Sequence, residues 1–191
     1  GIAPVERTKW ASSSSQEIKQ FESRETEYLF FVGCAGSFDS RNKQVTLSIA
    51  PILNAARISW GILGKEERCC GDSLRRLGNE YVFERMAKEN MSLFEEKGVK
   101  KVITQCPHCF STLKNDYKQY GLELEVIHHS ELINKLLAEG RIKISSRSTD
   151  LGKMVFHDSC YLGRHNDIYE APRKAIKMAT GATPLEMKRN K

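Results

Sequence analysis

Short, unbroken apolar runs alternate along this chain with stretches whose apolar positions recur every three to four residues. The runs fall at 28–32 (Tyr-Leu-Phe-Phe-Val), 58–62, 99–104, 124–127 and 153–156, and each is short enough to predict a strand buried on both faces. The periodic stretches predict helices at 44–57, 78–97, 110–119, 130–139 and 171–179. Pro51 should kink or interrupt the first of these, because it lacks an N–H and crowds the preceding turn. In the second, Val82, Met86, Met91 and Phe94 form a core-facing stripe. Gly98 and Gly140 stand where helix C-caps belong, and Ser130 with Glu131 suits a helix start. Strands alternating with helices predict an α/β fold: a mostly parallel, Rossmann-like sheet flanked by helices, with ligands at the C-terminal strand ends.

Breaks in the pattern suggest an organisation. Residues 1–25 contain Ser12 to Ser15 and little apolar periodicity, so they read as a linker or extended arm. Around 145–152 the chain turns polar, which divides it into a first domain at 26–145 and a second, incomplete one at 146–191. The run into Cys160 (154–160) echoes the run into Cys34 (29–34), as the start of a second copy would.

Composition narrows the classes. The 191 residues are 40% apolar and 28% charged, ordinary for a globular protein. No run approaches the roughly 20 apolar residues needed to span a bilayer, and no signal-peptide core is present. The expectation is a cytoplasmic, reducing setting. The net charge of +6 is scattered among acids, as in Lys65-Glu66-Glu67-Arg68, with no basic stripe interleaved with aromatics, so nucleic acid is not an expected partner.

The cysteines change the picture most. Five of the six form an ordered set: Cys34, then Cys69-Cys70-Gly71, then Cys106-Pro107-His108-Cys109, separated by spacers of 34 and 35 residues. On the predicted elements each group follows a strand. In a parallel sheet ligands gather beyond the carboxyl ends of strands, so groups distant in sequence should meet at one edge. Helices starting after Gly71 and Cys106 would aim N–H groups at the same place. Thiolates held this way suit an iron–sulfur cluster, with four ligands and one spare or with all five used. Structural zinc is a rival, although adjacent cysteines fit one tetrahedral ion awkwardly. Thiol–disulfide exchange at Cys106 and Cys109 is another, but it leaves Cys34, Cys69 and Cys70 unexplained. His128-His129 follows the fourth strand and suits packing or hydrogen bonding around a site better than ligation. His108 lies inside the CxxC turn, and Arg68, Arg75, Arg76 and Arg164 flank cysteine motifs where they could offset negative charge.

With these residues in place, the chain resembles the CCG-type cysteine-rich domain family. That family includes catalytic subunits of heterodisulfide reductases and iron–sulfur subunits of glycolate and anaerobic glycerol-3-phosphate dehydrogenases. The resemblance rests on Gly33-Cys34-Ala35-Gly36, Arg68-Cys69-Cys70-Gly71-Asp72 and Cys106-Pro107-His108-Cys109-Phe110. These look most like the membrane-linked branch, which passes electrons between a flavoprotein and quinone. His157-Asp158-Ser159-Cys160 resembles the opening of a second motif, with Cys160 as a ligand of an unfinished second site. The resemblance implies a [4Fe–4S]-type cluster, noncubane in heterodisulfide reductase, on Cys34, Cys69, Cys70, Cys106 and Cys109. It also implies a fragment of a larger oxidoreductase. Its partners would be an electron-transferring flavoprotein or ferredoxin-like domain and the remainder of the parent protein, with any membrane association supplied by other parts of that protein.

Overall fold

The computed structural model describes residues 4–146 and 152–188. The first element is a 3-10 helix, Pro4–Ser13. Four strands follow along the chain: β1 (Tyr28–Phe31), β2 (Trp60–Gly61), β3 (Lys101–Thr104) and β4 (Glu125–His128). Helices α1 (Gly33–Phe38) and α2 (Ser40–Ala55) lie between β1 and β2, and α3 (Asp72–Arg76) and α4 (Glu80–Lys97) between β2 and β3. Helix α5 (Pro107–Ser111) follows β3 and runs into a π-helical stretch, Thr112–Asp116, and a 3-10 turn, Tyr117–Tyr120. Helices α6 (His129–Ala138), α7 (Gly163–Asn166) and α8 (Glu170–Thr180) complete the set. No helix among the described residues is long and apolar enough to cross a membrane.

The strands form one parallel sheet in the order β2-β1-β3-β4, the expected Rossmann-like α/β arrangement. The chain winds outward from β1 to β2, then returns to place β3 on the other side of β1. Crossovers leave in opposite directions at β1 and β3, which opens a crevice beyond their carboxyl ends. Every residue of β1 is buried, as a central parallel strand requires. On one face Leu29 and Phe31 pack into a core with Val102, Phe83, Ala87, Met91 and Phe94. On the other, Phe30 meets the Trp60 ring edge-on at 5.9 Å.

Helix α4 carries this core. Asn79 caps its start by accepting from the Val82 N–H, and Gly98 ends it at φ +67°. Its buried residues are Phe83, Ala87, Asn90, Met91 and Phe94, one helical face. The face is rotated slightly from the predicted stripe: Val82 and Met86 are only half-buried. Helix α2 passes through Pro51 without interruption. Ile49, Ala50 and Leu53 are buried on one side of the helix, while Pro51 is exposed on the other, so tertiary packing outweighs the lost hydrogen bond.

Two predicted strands shrink. Of 58–62 only Trp60–Gly61 joins the sheet, because Ile62 instead exchanges backbone hydrogen bonds with Lys19 and Phe21. The run at 153–156 does not extend the sheet; it makes one parallel bridge, Val155 to Leu185. Val155 is 59% exposed, so no buried surface holds a longer ladder there. The described part of residues 1–25 is docked: Trp10 and Phe21 are buried, at 3% and 4% exposure. An arm with so few apolar residues is held by single side chains, which leave no periodic signal.

The chain divides into two compact units, Gly1–His128 and His129–Lys191. Helix α6 therefore belongs with α8, to which Asn134 donates at the Ala171 carbonyl, 2.7 Å. In the second unit Arg173 binds Asp158 and Glu186 together and lies over the Phe156 ring.

Candidate metal centre

The three cysteine groups stand beyond the ends of β1, β2 and β3. Cys34 is the second residue of α1, immediately after β1. Before it, Gly33 takes φ +73°, and a Cβ there would lie 2.9 Å from Cys109 Sγ, so the turn needs glycine. Cys69 and Cys70 lie between β2 and α3, whose start is Gly71 at φ +89°. A Cβ on Gly71 would sit 2.8 Å from the Phe83 ring. Cys106 caps α5, and Pro107 occupies the first turn, where a missing N–H costs nothing.

This placement brings all five thiols together. Cys109 Sγ donates to Cys70 Sγ at 3.6 Å, and the other thiols are close enough to shift one another's protonation, Cys34 with Cys69, Cys69 with Cys70 and Cys106 with Cys109. Cys70 and Cys109 are buried; Cys34, Cys69 and Cys106 are partly exposed. A cavity of about 660 Å³ opens beside Cys34 and Cys69, lined also by Arg7, Phe38, Glu67 and Arg68. Among the described residues, no three Cys, His, Asp or Glu side chains close around a position for a single ion.

Their electrostatics follow from who donates to whom. Cys70 accepts from Cys109 and Cys69, which hold it well below its ordinary value and favour thiolate. Cys106 falls to about 6 because it accepts from Cys109 and because the His108 and Cys109 N–H groups at the start of α5 pull the same way. Donation to Cys106 and Cys70 pushes Cys109 up, and donation to Cys69 with burial does the same to Cys34. Cys69 accepts from Cys34, yet donation to Cys70 and burial leave it above its usual value. Five sulfurs so close cannot all ionise without compensating positive charge. The donor set therefore fits a group of several cations sharing the five sulfurs better than one ion.

Side chains outside the motifs fix the loops. The buried Glu67 carboxylate accepts from the Val32 and Gly33 N–H groups, at 2.9 and 3.0 Å, and so clamps the Cys34 turn. Burial pushes Glu67 up to about 7 against the pull of Arg7 and of those two donors. Arg7 donates to Glu67 at 3.1 Å and to Cys34 Sγ at 3.5 Å. The Gly71 N–H points to Cys69 Sγ at 3.4 Å. Asn90 Nδ2 donates to the Cys69 carbonyl and Tyr117 Oη to the Cys70 carbonyl, at 2.9 and 3.0 Å. Asp72 ties the second motif to the third, 2.7 Å from His108 Nδ1.

Other candidates have other work. His128 bonds the Gln105 carbonyl at 3.0 Å and packs edge-on to Phe110, which steadies the approach to Cys106. Arg68 pairs with Glu89, Arg75 with Glu80 and Asp116, and Arg76 with Asp72 and Asp116. Cys160 lies in the other compact unit, exposed, with Arg164 Nη1 at 3.6 Å. Asp72 closes the Arg68–Asp72 signature, but no sequence motif singles out Arg7, Glu67, Asn90 or Tyr117 as part of the site. Asn90 is nevertheless readable, as a polar residue on an apolar helix face.

Comparison with known proteins identifies the family. The model of the family described as "CCG: Cysteine-rich domain" matches residues 28–114 and 154–191. The chain is 50% identical over 161 residues to an EtfAB:quinone oxidoreductase of Syntrophomonas wolfei, covering 84% of this chain and 22% of that one. It is 39% identical to a probable iron-sulfur-binding oxidoreductase, FadF, of Bacillus subtilis, covering 100% of this chain and 28% of the relative. One component of a dihydromethanophenazine:CoB–CoM heterodisulfide reductase of Methanosarcina mazei is 33% identical over 86% of this chain and 41% of its own. The chain thus spans less than half the length of these relatives. No solved structure matches it significantly.

Proposed function

This chain belongs to the CCG cysteine-rich domain family, and we propose that Cys34, Cys69, Cys70, Cys106 and Cys109 together hold an iron–sulfur cluster of [4Fe–4S] type. The chain then acts as the iron–sulfur electron-transfer module of a larger oxidoreductase. It takes electrons from a flavoprotein or ferredoxin-like donor and passes them towards a quinone or a disulfide. The observation that carries this reading is the convergence of three strand-end loops: Cys70 and Cys109 Sγ lie 3.6 Å apart, and Cys34 and Cys69 border one cavity. Relatives named as iron–sulfur oxidoreductases support it. The parent protein acts on the cytoplasmic side, and parts outside this chain bring it to the membrane.

When bound, such a cluster supplies one-electron redox chemistry. The protein's own residues do the rest. Cys70 and Cys109 keep the inner side of the site dry, and Cys34 and Cys69 border the open cavity. Hydrogen bonds to Cys34 from Arg7 and to Cys69 from Gly71 steady negative charge on sulfur. Serine replacement of each of the five cysteines, followed by anaerobic iron analysis, tests the assignment. Every one should lower bound iron, whereas Cys160→Ser should leave it unchanged. Full iron in the Cys34→Ser and Cys69→Ser proteins would remove those two residues from the site.

A further inference from the structure

We propose that Arg7 is a positioning and charge-compensating residue of the metal centre, which orients Cys34 and raises the reduction potential of the group held there. The inference rests on the iron–sulfur reading and adds to it a residue outside the cysteine motifs and outside the matched segments, 28–114 and 154–191.

The Pro4–Ser13 helix is seated by Trp10, only 3% exposed. That seat brings Arg7 to the mouth of the cavity beside Cys34 and Cys69. Three contacts hold its guanidinium. Nη1 meets Glu67 Oε1 at 3.1 Å, Nη2 meets Cys34 Sγ at 3.5 Å, and the group lies over the Phe38 ring, 5.2 Å from its centre. The side chain is 12% exposed, so its charge is poorly screened. Glu67 in turn holds the Val32 and Gly33 N–H groups. One planar fork therefore connects the carboxylate that shapes the Cys34 turn with the sulfur at its tip. A lysine could supply the charge but could not make both bonds in one plane.

Adding an electron makes a thiolate-ligated group more negative, and a fixed cation touching one of its sulfurs favours that change. A separation of 60 positions between Arg7 and Glu67 explains why no motif reveals the pair.

The test uses the full chain with Arg7→Gln and Arg7→Lys, each loaded anaerobically with ferrous iron and sulfide. Iron content, melting temperature and an EPR-monitored redox titration are measured. Arg7→Gln should lower the equilibrium constant for one-electron reduction on the order of tenfold, a shift of about 59 mV to lower potential. Arg7→Lys should keep most of the wild-type potential. A folded Arg7→Gln protein that loses iron while Arg7→Lys retains it also supports the role. So does loss of iron from both while both remain folded, since that assigns the effect to the fork. Wild-type potential in both loaded variants overturns the inference and leaves the iron–sulfur reading standing. Failure of both to fold overturns it too, by reducing Arg7 to a structural residue. Absence of iron from the wild type removes the cluster reading and this inference with it.

Discussion

Individual side chains set how tightly the metal centre is drawn. Gly33 is tested most simply, because its turn needs φ +73° and its missing Cβ leaves room for Cys109 Sγ. Gly33→Ala should cost about 1–2 kcal/mol in left-handed strain alone. Chemical denaturation of the metal-free chain measures that loss, and iron content should fall with it. Asn90 is a second case. It is fully buried and donates to both the Cys69 carbonyl and Tyr117 Oη. Asn90→Ala leaves those acceptors without their donor, and its expected cost is about 1–3 kcal/mol. If Asn90 only filled space, Asn90→Leu would restore the stability; the hydrogen bonds predict that it does not.

At the scale of elements, α4 decides whether the second and third motifs are held against one core. Phe83 and Phe94 are both fully buried on the face that meets Leu29 and Phe31, and Phe94 stands edge-on to Phe31 at 6.2 Å. Phe94→Ala should therefore destabilise the fold by about 3–5 kcal/mol. The cap offers a milder probe: Asn79→Ala removes one acceptor from the exposed start of α4 and should cost about 1 kcal/mol. Thermal or denaturant unfolding separates the two. Near-equal effects would mean that the helix is not anchored through its aromatic face. The short helices α3 and α5 matter differently, since each starts at a cysteine loop and presents its first N–H groups to sulfur.

For the molecule as a whole, the parallel sheet and the cysteine edge were legible because their signals are local and repeated. A run such as Tyr28 to Val32 reads as a buried strand without reference to anything else, and each cysteine group follows such a run. What escaped were single long-range contacts. Arg7 reaches Glu67 and Cys34, and Tyr117 reaches Cys70, across separations that leave no periodicity. The run at 153–156 failed as a strand for a related reason: its pattern suits burial, but Val155 finds nothing to bury it. Binding to the folded chain alone should raise stability by mass action, so the loaded chain should melt above the metal-free one and lose that difference on anaerobic chelation. The central claim is that five thiols from three loops hold one multi-iron group. Iron and acid-labile sulfide, determined together on the anaerobically purified chain, test it most directly. Comparable amounts of both, near four per chain as a [4Fe–4S]-type group requires, are the predicted result. Stoichiometric zinc without sulfide, from iron-replete and strictly anaerobic preparation, would contradict it.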